Sequence, residues 1–206
     1  MPFPCSPSLG TGPSSKHSVA PPARIPRVAD LLAIPQLHSL QELLDPLHCI
    51  EFFAGQSGSA KIAKCFKRLG RRVQAFDLSR SETHNMDSTE GFLAGLLSIL
   101  RLRPGSFVHF GTVCTSFTWI NAGTHGRRLW QPLGNQHLDY VALGSRLVER
   151  TVLLALLAWH MGAVFSIENP LGSMIAEQPI FQIMIQYFKE KSGGWMLHSF
   201  LLLLCL

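Results

Sequence analysis

The stretch Ile50-Glu51-Phe52-Phe53-Ala54-Gly55-Gln56-Ser57-Gly58-Ser59 is an apolar run that stops at a glycine-bearing turn and leads into a helical pattern. It reads as strand, turn, helix. Gly55 lets the backbone turn tightly and come close to a ligand. Ser57 and Gly58 keep the turn small, and the helix that follows points its free N–H groups at whatever sits there. That is the geometry of a nucleotide-type cofactor site. From this stretch alone, a tight strand-to-helix connection with no ligand fits equally well.

Outward from the turn, elements of the two kinds alternate. Cys49 to Phe53 makes a first strand. Ser59 to Leu69 makes a helix with Ile62, Ala63, Phe66 and Leu69 on one face and Lys61, Lys64, Lys67 and Arg68 on the other, ended by Gly70. Val73 to Phe76 makes a second strand that stops at Asp77. Leu78 to Met86 is polar and too short for a further helix and strand, so a loop is expected. Ser88 to Leu102 is a helix capped by Ser88 or Thr89, and the strand Phe107 to Phe110 follows Pro104-Gly105. A long loop from Gly111 to Gln136 carries Trp119, His125 and Trp130; loops of that length inside a domain are functional or disordered. A helix from about His137 to Met161, a strand from Ala163 to Ile167, the turn Glu168-Asn169-Pro170, a helix near Ile175 to Lys189 and an apolar stretch from Trp195 complete the chain. Such alternation predicts an α/β fold, a mostly parallel sheet with helices on both faces and ligands at the carboxyl ends of the strands.

Upstream of the strand the character changes. Residues 1 to 28 hold seven prolines, five serines, three basic residues and no acid, a composition that cannot bury enough apolar surface to offset its ordering entropy. A disordered tail over 1–28 and an α/β domain over 29–206 are expected, with the apolar ending Phe200 to Leu206 read as a core strand or as a fold cut short. Between Ile25 and Leu47, leucines and isoleucines at helical spacing predict one or two short helices interrupted near Pro35. The net charge of +5 permits a polyanionic partner without demanding one. Cys5, Cys49, Cys65, Cys114 and Cys205 form no CxxC pair and no metal-ligand spacing, which argues against a disulfide framework and against a bound metal. A reducing compartment follows, nuclear or cytoplasmic, with an organellar address for the acid-free leader as the alternative. Thr151 to Phe165 is nearly all apolar but too short to span a membrane, and reads as a buried helix running into a buried strand.

The residues at the carboxyl ends of these strands are polar or reactive. The first strand offers Glu51 and the Gly55 turn, the second Asp77, the loop beyond it Asp87, the third Cys114 and the last Glu168-Asn169. An acid ending the second strand, after a glycine turn, is where a ribose is hydrogen-bonded in a nucleotide-binding sheet. Cys114, read alone, is more often a small core residue than a nucleophile, since reactivity needs a basic neighbour and partial exposure. Lys61, Lys64, Lys67, Arg68, Arg71 and Arg72 could touch phosphates, although a solvated helix face is the simpler reading.

In this order the set resembles the catalytic domain of the S-adenosylmethionine-dependent DNA cytosine-5 methyltransferases. Their Asp-Leu-Phe-Ala-Gly-x-Gly-Gly motif is matched by Glu51-Phe52-Phe53-Ala54-Gly55-Gln56-Ser57-Gly58. Their Pro-Cys-Gln-x-Phe-Ser-x-Ala-Gly is approached by Val113-Cys114-Thr115-Ser116-Phe117-Thr118-Trp119-Ile120-Asn121-Ala122-Gly123, and their Glu-Asn-Val by Glu168-Asn169-Pro170. The resemblance covers about Cys49 to Met174. It implies a Rossmann-like, class I methyltransferase fold, S-adenosylmethionine as cofactor and DNA or RNA as partner. It further implies that Glu51, Phe53, Ala54, Gly55, Ser57, Gly58, Asp77 and Asp87 hold the cofactor, with Glu51 on its amino end, Asp77 on the ribose and Asp87 on the adenine. Cys114 would attack carbon 6 of a cytosine, Glu168 would protonate the ring at nitrogen 3, and Asn169 would touch the substrate. Val113 and Thr115 depart from the nucleophile motif, Pro170 follows the Glu-Asn pair, and the family's later segments have no counterpart. A methyltransferase for another substrate, a catalytically inactive binding module and an α/β domain for a different nucleotide therefore stand as alternatives.

Overall fold

The computed structural model describes residues 45–56, 60–170 and 172–192, all within one compact unit of the chain. The segment 1–44, Ser57 to Ser59, Leu171 and residues 193–206 lie outside the described residues. So do the expected N-terminal tail, most of the helices expected before Leu47, and the apolar ending.

Among the described residues four strands make one sheet: β1 (Leu47–Phe52), β2 (Val73–Phe76), β3 (Leu102–Phe110) and β4 (Val164–Ile167). Every pairing is parallel and the spatial order is β2-β1-β3-β4. The described α-helices are α1 (Lys61–Arg68), α2 (Thr89–Leu100), the single turn α3 (Ala122–His125), α4 (Asp139–His160) and α5 (Pro179–Ser192). This is an α/β architecture, an all-parallel sheet flanked by helices, consistent with a Rossmann-like fold.

Alternation along the strands decides which helix goes where. Ile50 and Phe52 of β1, Phe76 of β2, Val108 and Phe110 of β3, and Phe165 and Ile167 of β4 join one apolar core. Phe52 stacks between Phe76 and Phe110, with ring centroids 4.9 and 5.0 Å apart. Fully buried and held on both sides, Phe52 is a residue whose truncation to Ala should cost about 3–5 kcal/mol. α2, α4 and α5 pack on this face. The other face of β1 and β2 takes α1 through a small cluster of Ala54, Ala60 and Ala63 with Val73 and Ala75.

Several boundaries differ from the sequence reading for identifiable reasons. β3 begins at Leu102, not Phe107, because Leu102 pairs with Leu47 before the chain bulges out and resumes at Phe107 opposite Cys49. α1 ends at Arg68, which leaves Leu69 on the C-cap and exposed, not on the packed face. The polar segment after β2 holds a 3-10 turn, Glu82–His84, opened by Ser81, and Ser88 caps α2 by accepting from the Gly91 N–H. The helix expected from Ile175 divides into a 3-10 turn, Ile175–Glu177, and α5, because Gln178 is extended before Pro179. Thr151 to Phe165 runs from α4 into β4, and among the described residues no helix is long and apolar enough to cross a membrane.

Candidate functional site

From β1 the chain passes to β2 on one side, then crosses back over β1 to place β3 on the other. The order reverses between β1 and β3, and in open parallel sheets ligands bind beyond the carboxyl ends of the strands at that crevice. The two strands end close together. The Gly111 N–H donates to the Phe52 carbonyl at 3.1 Å, and a Cβ on Gly111 would lie 3.3 Å from the Phe53 oxygen.

At the end of β1 the backbone leaves the extended region. Phe53 has φ +57°, rare for a bulky residue, and Gly55 has φ +68°. The Ala54 N–H still donates to Phe76, while the Gly55 N–H donates to Asp77 Oδ2 at 2.8 Å. Asp77 Oδ1 accepts from the Ser79 N–H at 2.9 Å and the Ser79 hydroxyl at 2.5 Å. Burial alone would raise the Asp77 carboxyl. The bonds from Ser79 and Gly55, with the Arg80 charge, outweigh it and hold the group below its ordinary value. Arg80 closes the turn from the other side, donating to the carbonyls of Gly55 at 2.8 Å and Gln56 at 3.2 Å. His84 lies over Phe76 with centroids 4.9 Å apart, its Nδ1 buried without a partner, and burial followed by the Arg80 charge holds its pKa down. Ser57 and Gly58 lie outside the described residues.

Glu51 points to the α1 face and is buried. Its Oε2 accepts from the Ala63 N–H at 2.7 Å. α1 has no side-chain cap of its own and no acid in its first turn, so the β1 carboxylate satisfies one of its free donors. Asp87 meets α4 instead: Arg146 donates Nε to Oδ1 at 2.9 Å and Nη2 to Oδ2 at 3.1 Å. These bonds, outweighing partial burial, keep its carboxyl low. Arg150 donates to the carbonyls of Met86 and Ser88, so the connection before α2 is tied to α4 at two points.

Beyond β3, Cys114 is half-buried and its carbonyl accepts from the Phe117 N–H at 2.8 Å, while Val113 beside it is exposed. Of the other described thiols, Cys65 is exposed, and Cys49 is buried, with burial and then Glu51 pushing it up to about 12. Beyond β4, the Glu168 N–H donates to the Phe110 carbonyl at 2.8 Å. The Glu168 side chain is largely exposed, with Oε2 3.4 Å from His109 Nε2. His109 Nδ1 lies 2.8 Å from the Ser166 hydroxyl. Asn169 is only 4% exposed, yet its Oδ1 has no hydrogen-bond partner.

The long segment after Cys114 is organised by a residue the sequence reading passed over. Arg127 is fully buried. Its guanidinium donates to the carbonyls of Ser116 at 2.7 Å, Pro132 at 2.9 Å, Leu133 at 3.0 Å and Val141 at 2.9 Å, and lies 4.1 Å over the Phe117 ring. His125 is equally buried; Nδ1 accepts from the Arg127 N–H, so Nε2 carries the proton and donates to the Thr118 carbonyl at 2.9 Å. Burial holds the Arg127 pKa down to about 10.

The Phe53–Gly55 turn with Asp77, Cys114 and Glu168-Asn169 thus line one edge of the sheet. Glu51 lies behind that edge under α1, and Asp87 is turned to α4. His109 and Arg80 join the edge unannounced. Strand parity could have found His109, since it is level with Glu51 and Ser166 in the sheet register. Among the described residues no group of three or more His, Cys, Asp or Glu side chains is placed to hold a metal ion. Comparison of the chain with known protein families, with characterised proteins and with solved structures finds no match in any of the three.

Proposed function

We propose that the chain is a Rossmann-like, class I methyltransferase-like domain that binds S-adenosylmethionine, most like the cytosine-5 type, and acts on nucleic acid. One observation carries this reading. The strand ends flanking the point of order reversal present a backbone turn with two left-handed residues, a half-buried thiol and a carboxylate on neighbouring strands.

The residues fit the cofactor unevenly. Phe53, Ala54 and Gly55 form a turn in which Gly55 brings no side chain, and Asp77 Oδ2 accepts one bond and keeps a lone pair for a hydroxyl. Asp87 spends both carboxylate oxygens on Arg146, and Glu51 gives Oε2 to the Ala63 N–H. When bound, the cofactor supplies an electrophilic methyl group on a sulfonium. The Cys114 sulfur, its proton given to solvent, bonds to carbon 6 of a cytosine; once carbon 5 carries the methyl group, the carbon-5 proton passes to water and the sulfur leaves as the ring is restored. Glu168 gives a proton to ring nitrogen 3 on addition and takes it back on elimination, with His109 Nε2 beside it. The unpartnered Asn169 Oδ1 is suited to accept from a polar ring edge. A base in a duplex hides these atoms, so the substrate is flipped out or single-stranded.

Calorimetric titration of the folded chain with S-adenosylmethionine and with NAD, beside Asp77→Asn, tests the first half. Binding of the former alone, weakened in the variant, supports the reading; no binding by a folded chain refutes it. An oligonucleotide carrying 5-fluorocytosine, with cofactor, should then trap an adduct that Cys114→Ser lacks. A second reading, a binding module without methyl transfer, is favoured by Asp87, whose two oxygens are held by Arg146, and gains if cofactor binds but no adduct forms.

A further inference from the structure

At the opposite end of the sheet, where β1 begins, the ladder between β1 and β3 carries a bulge. Leu102 pairs with Leu47 and Phe107 with Cys49, so β1 advances two residues while β3 advances five. Arg103, Pro104, Gly105 and Ser106 loop out between them. Bulges re-aim side chains, and this one brings Arg103 to His48, with Nη1 3.1 Å from Nε2. A guanidinium cannot accept, so Nε2 accepts and His48 is neutral with its proton on Nδ1. That Nδ1 is buried with no partner. Burial, then Arg103 and Arg71, hold the His48 pKa below its ordinary value, so both guanidiniums act on the ring.

His48, Arg71 and Arg103 line a cleft of about 320 Å³, walled by Phe66, which stacks on Phe107, and by the bulge. No acid lines it. Elsewhere, Arg72 pairs with Asp45 and Arg146 with Asp87, while Arg80, Arg128 and Arg150 donate to carbonyls. Among the described residues Arg71 and Arg103 have no carboxylate partner. Lys67 and Arg68, exposed in the last turn of α1, extend the same sign of charge. Cations gathered without a counter-charge repel one another, and an entering anion removes that cost; planar guanidinium forks match phosphate oxygens best.

We propose that this cleft is a phosphate-binding site, filled by a backbone phosphate of a nucleic acid strand. It is independent of the cofactor reading, because β1 is six residues long and roughly 20 Å separates the two sheet edges. The test follows the His48 imidazole resonance of the full chain, assigned with His48→Gln, as inorganic phosphate or a 12-nucleotide single strand is added, with chloride at matched ionic strength as control. Arg71→Gln/Arg103→Gln, both at exposed positions, is compared after its far-UV spectrum shows the fold intact. Phosphate should shift the resonance saturably where chloride does not. The double variant should bind the oligonucleotide at least tenfold more weakly, with a log–log salt slope shallower by about 0.7 per lost contact. A phosphate shift with unchanged oligonucleotide affinity supports the site with a free phosphate or nucleotide as its source. An oligonucleotide effect alone supports the strand backbone. No phosphate shift together with unchanged oligonucleotide binding overturns the proposal.

Discussion

Replacing Arg127 with Met keeps the length of the side chain and removes the fork around which residues 116–145 are arranged. The magnitude follows from what stays behind. Pro132 O also accepts from Gln178 Nε2, and Leu133 O from Gln136 Nε2, so each keeps one bond. Ser116 O has the Arg127 Nε–H as its donor and becomes a buried orphan at about 1–3 kcal/mol. The further bonds to Pro132, Leu133 and Val141 were charge-assisted, and losing them adds a similar sum. Recovering the solvation of a buried cation offsets part of it. The net is about 3 kcal/mol, a large share of a typical domain stability of roughly 5–15 kcal/mol. In a domain of this size that lowers Tm by roughly 6–12 °C. Arg127→Lys keeps the charge but not the planar fork and should cost about half as much. Urea unfolding followed by circular dichroism and by tryptophan fluorescence, to which Trp119 and Trp130 of the same segment contribute, reads both numbers. If Arg127→Met unfolds within 1 kcal/mol of the parent at unchanged m, the guanidinium is not what holds the segment.

Other perturbations are smaller or more local. Gly144→Ala puts a methyl group onto the Ser116 hydroxyl and 3.2 Å from the Phe117 ring, so it should lower the urea midpoint by about 1–3 kcal/mol equivalent, and an unchanged midpoint would mean α4 does not pack there. Glu51→Ala should cost about 1–2 kcal/mol by leaving the Ala63 N–H without its acceptor, whereas Glu51→Gln, which keeps an oxygen there, should cost under half of that by the same assay. Asp77, Asp87 and His84 all have folded pKa values below their ordinary ones. Each contributes stability that is present above its unfolded pKa and lost as pH falls, His84 from about 6.5 downward and the two carboxyls from about 4 downward. Tm should therefore decline toward acid in two steps, and Arg146→Gln should flatten the lower one; a pH-independent Tm between 7 and 3 contradicts the assignment.

Much of the sheet was legible because β1, β2 and β4 are short apolar runs stopped by Gly55, Asp77 and Glu168, and because Ser88 sits three residues before the N–H it caps. The start of β3 was not, since Pro104-Gly105 reads as a turn and only the partner strand reveals that Leu102 belongs to the sheet. Residues 111–136 read as a loop because their order comes from one buried arginine. A guanidinium satisfied by carbonyls of distant residues leaves no periodic trace. At the site, position was readable and occupancy was not. Glu51, Asp77 and Asp87 fall at strand ends or beyond them as expected, but whether a carboxylate faces a ligand or its own backbone depends on Ala63, Ser79 and Arg146, which no motif names.

The parallel register has a consequence for how the chain acquires its shape. Cys49 of β1 meets nothing until Val73 and then Phe107, and Phe107 waits for Val164. No described strand pairs with its immediate successor through a hairpin, so each step closes a loop of more than twenty residues before any ladder bond repays it. On a ribosome adding residues from the amino end, Leu47 to Phe52 emerges ahead of every described strand it pairs with, and its ladder to β3 waits for some fifty more residues even after β2 has been made. During that interval β1 is a target for holding chaperones and for pairing with other nascent copies, and charge-introducing changes there would alter yield before they altered the finished fold.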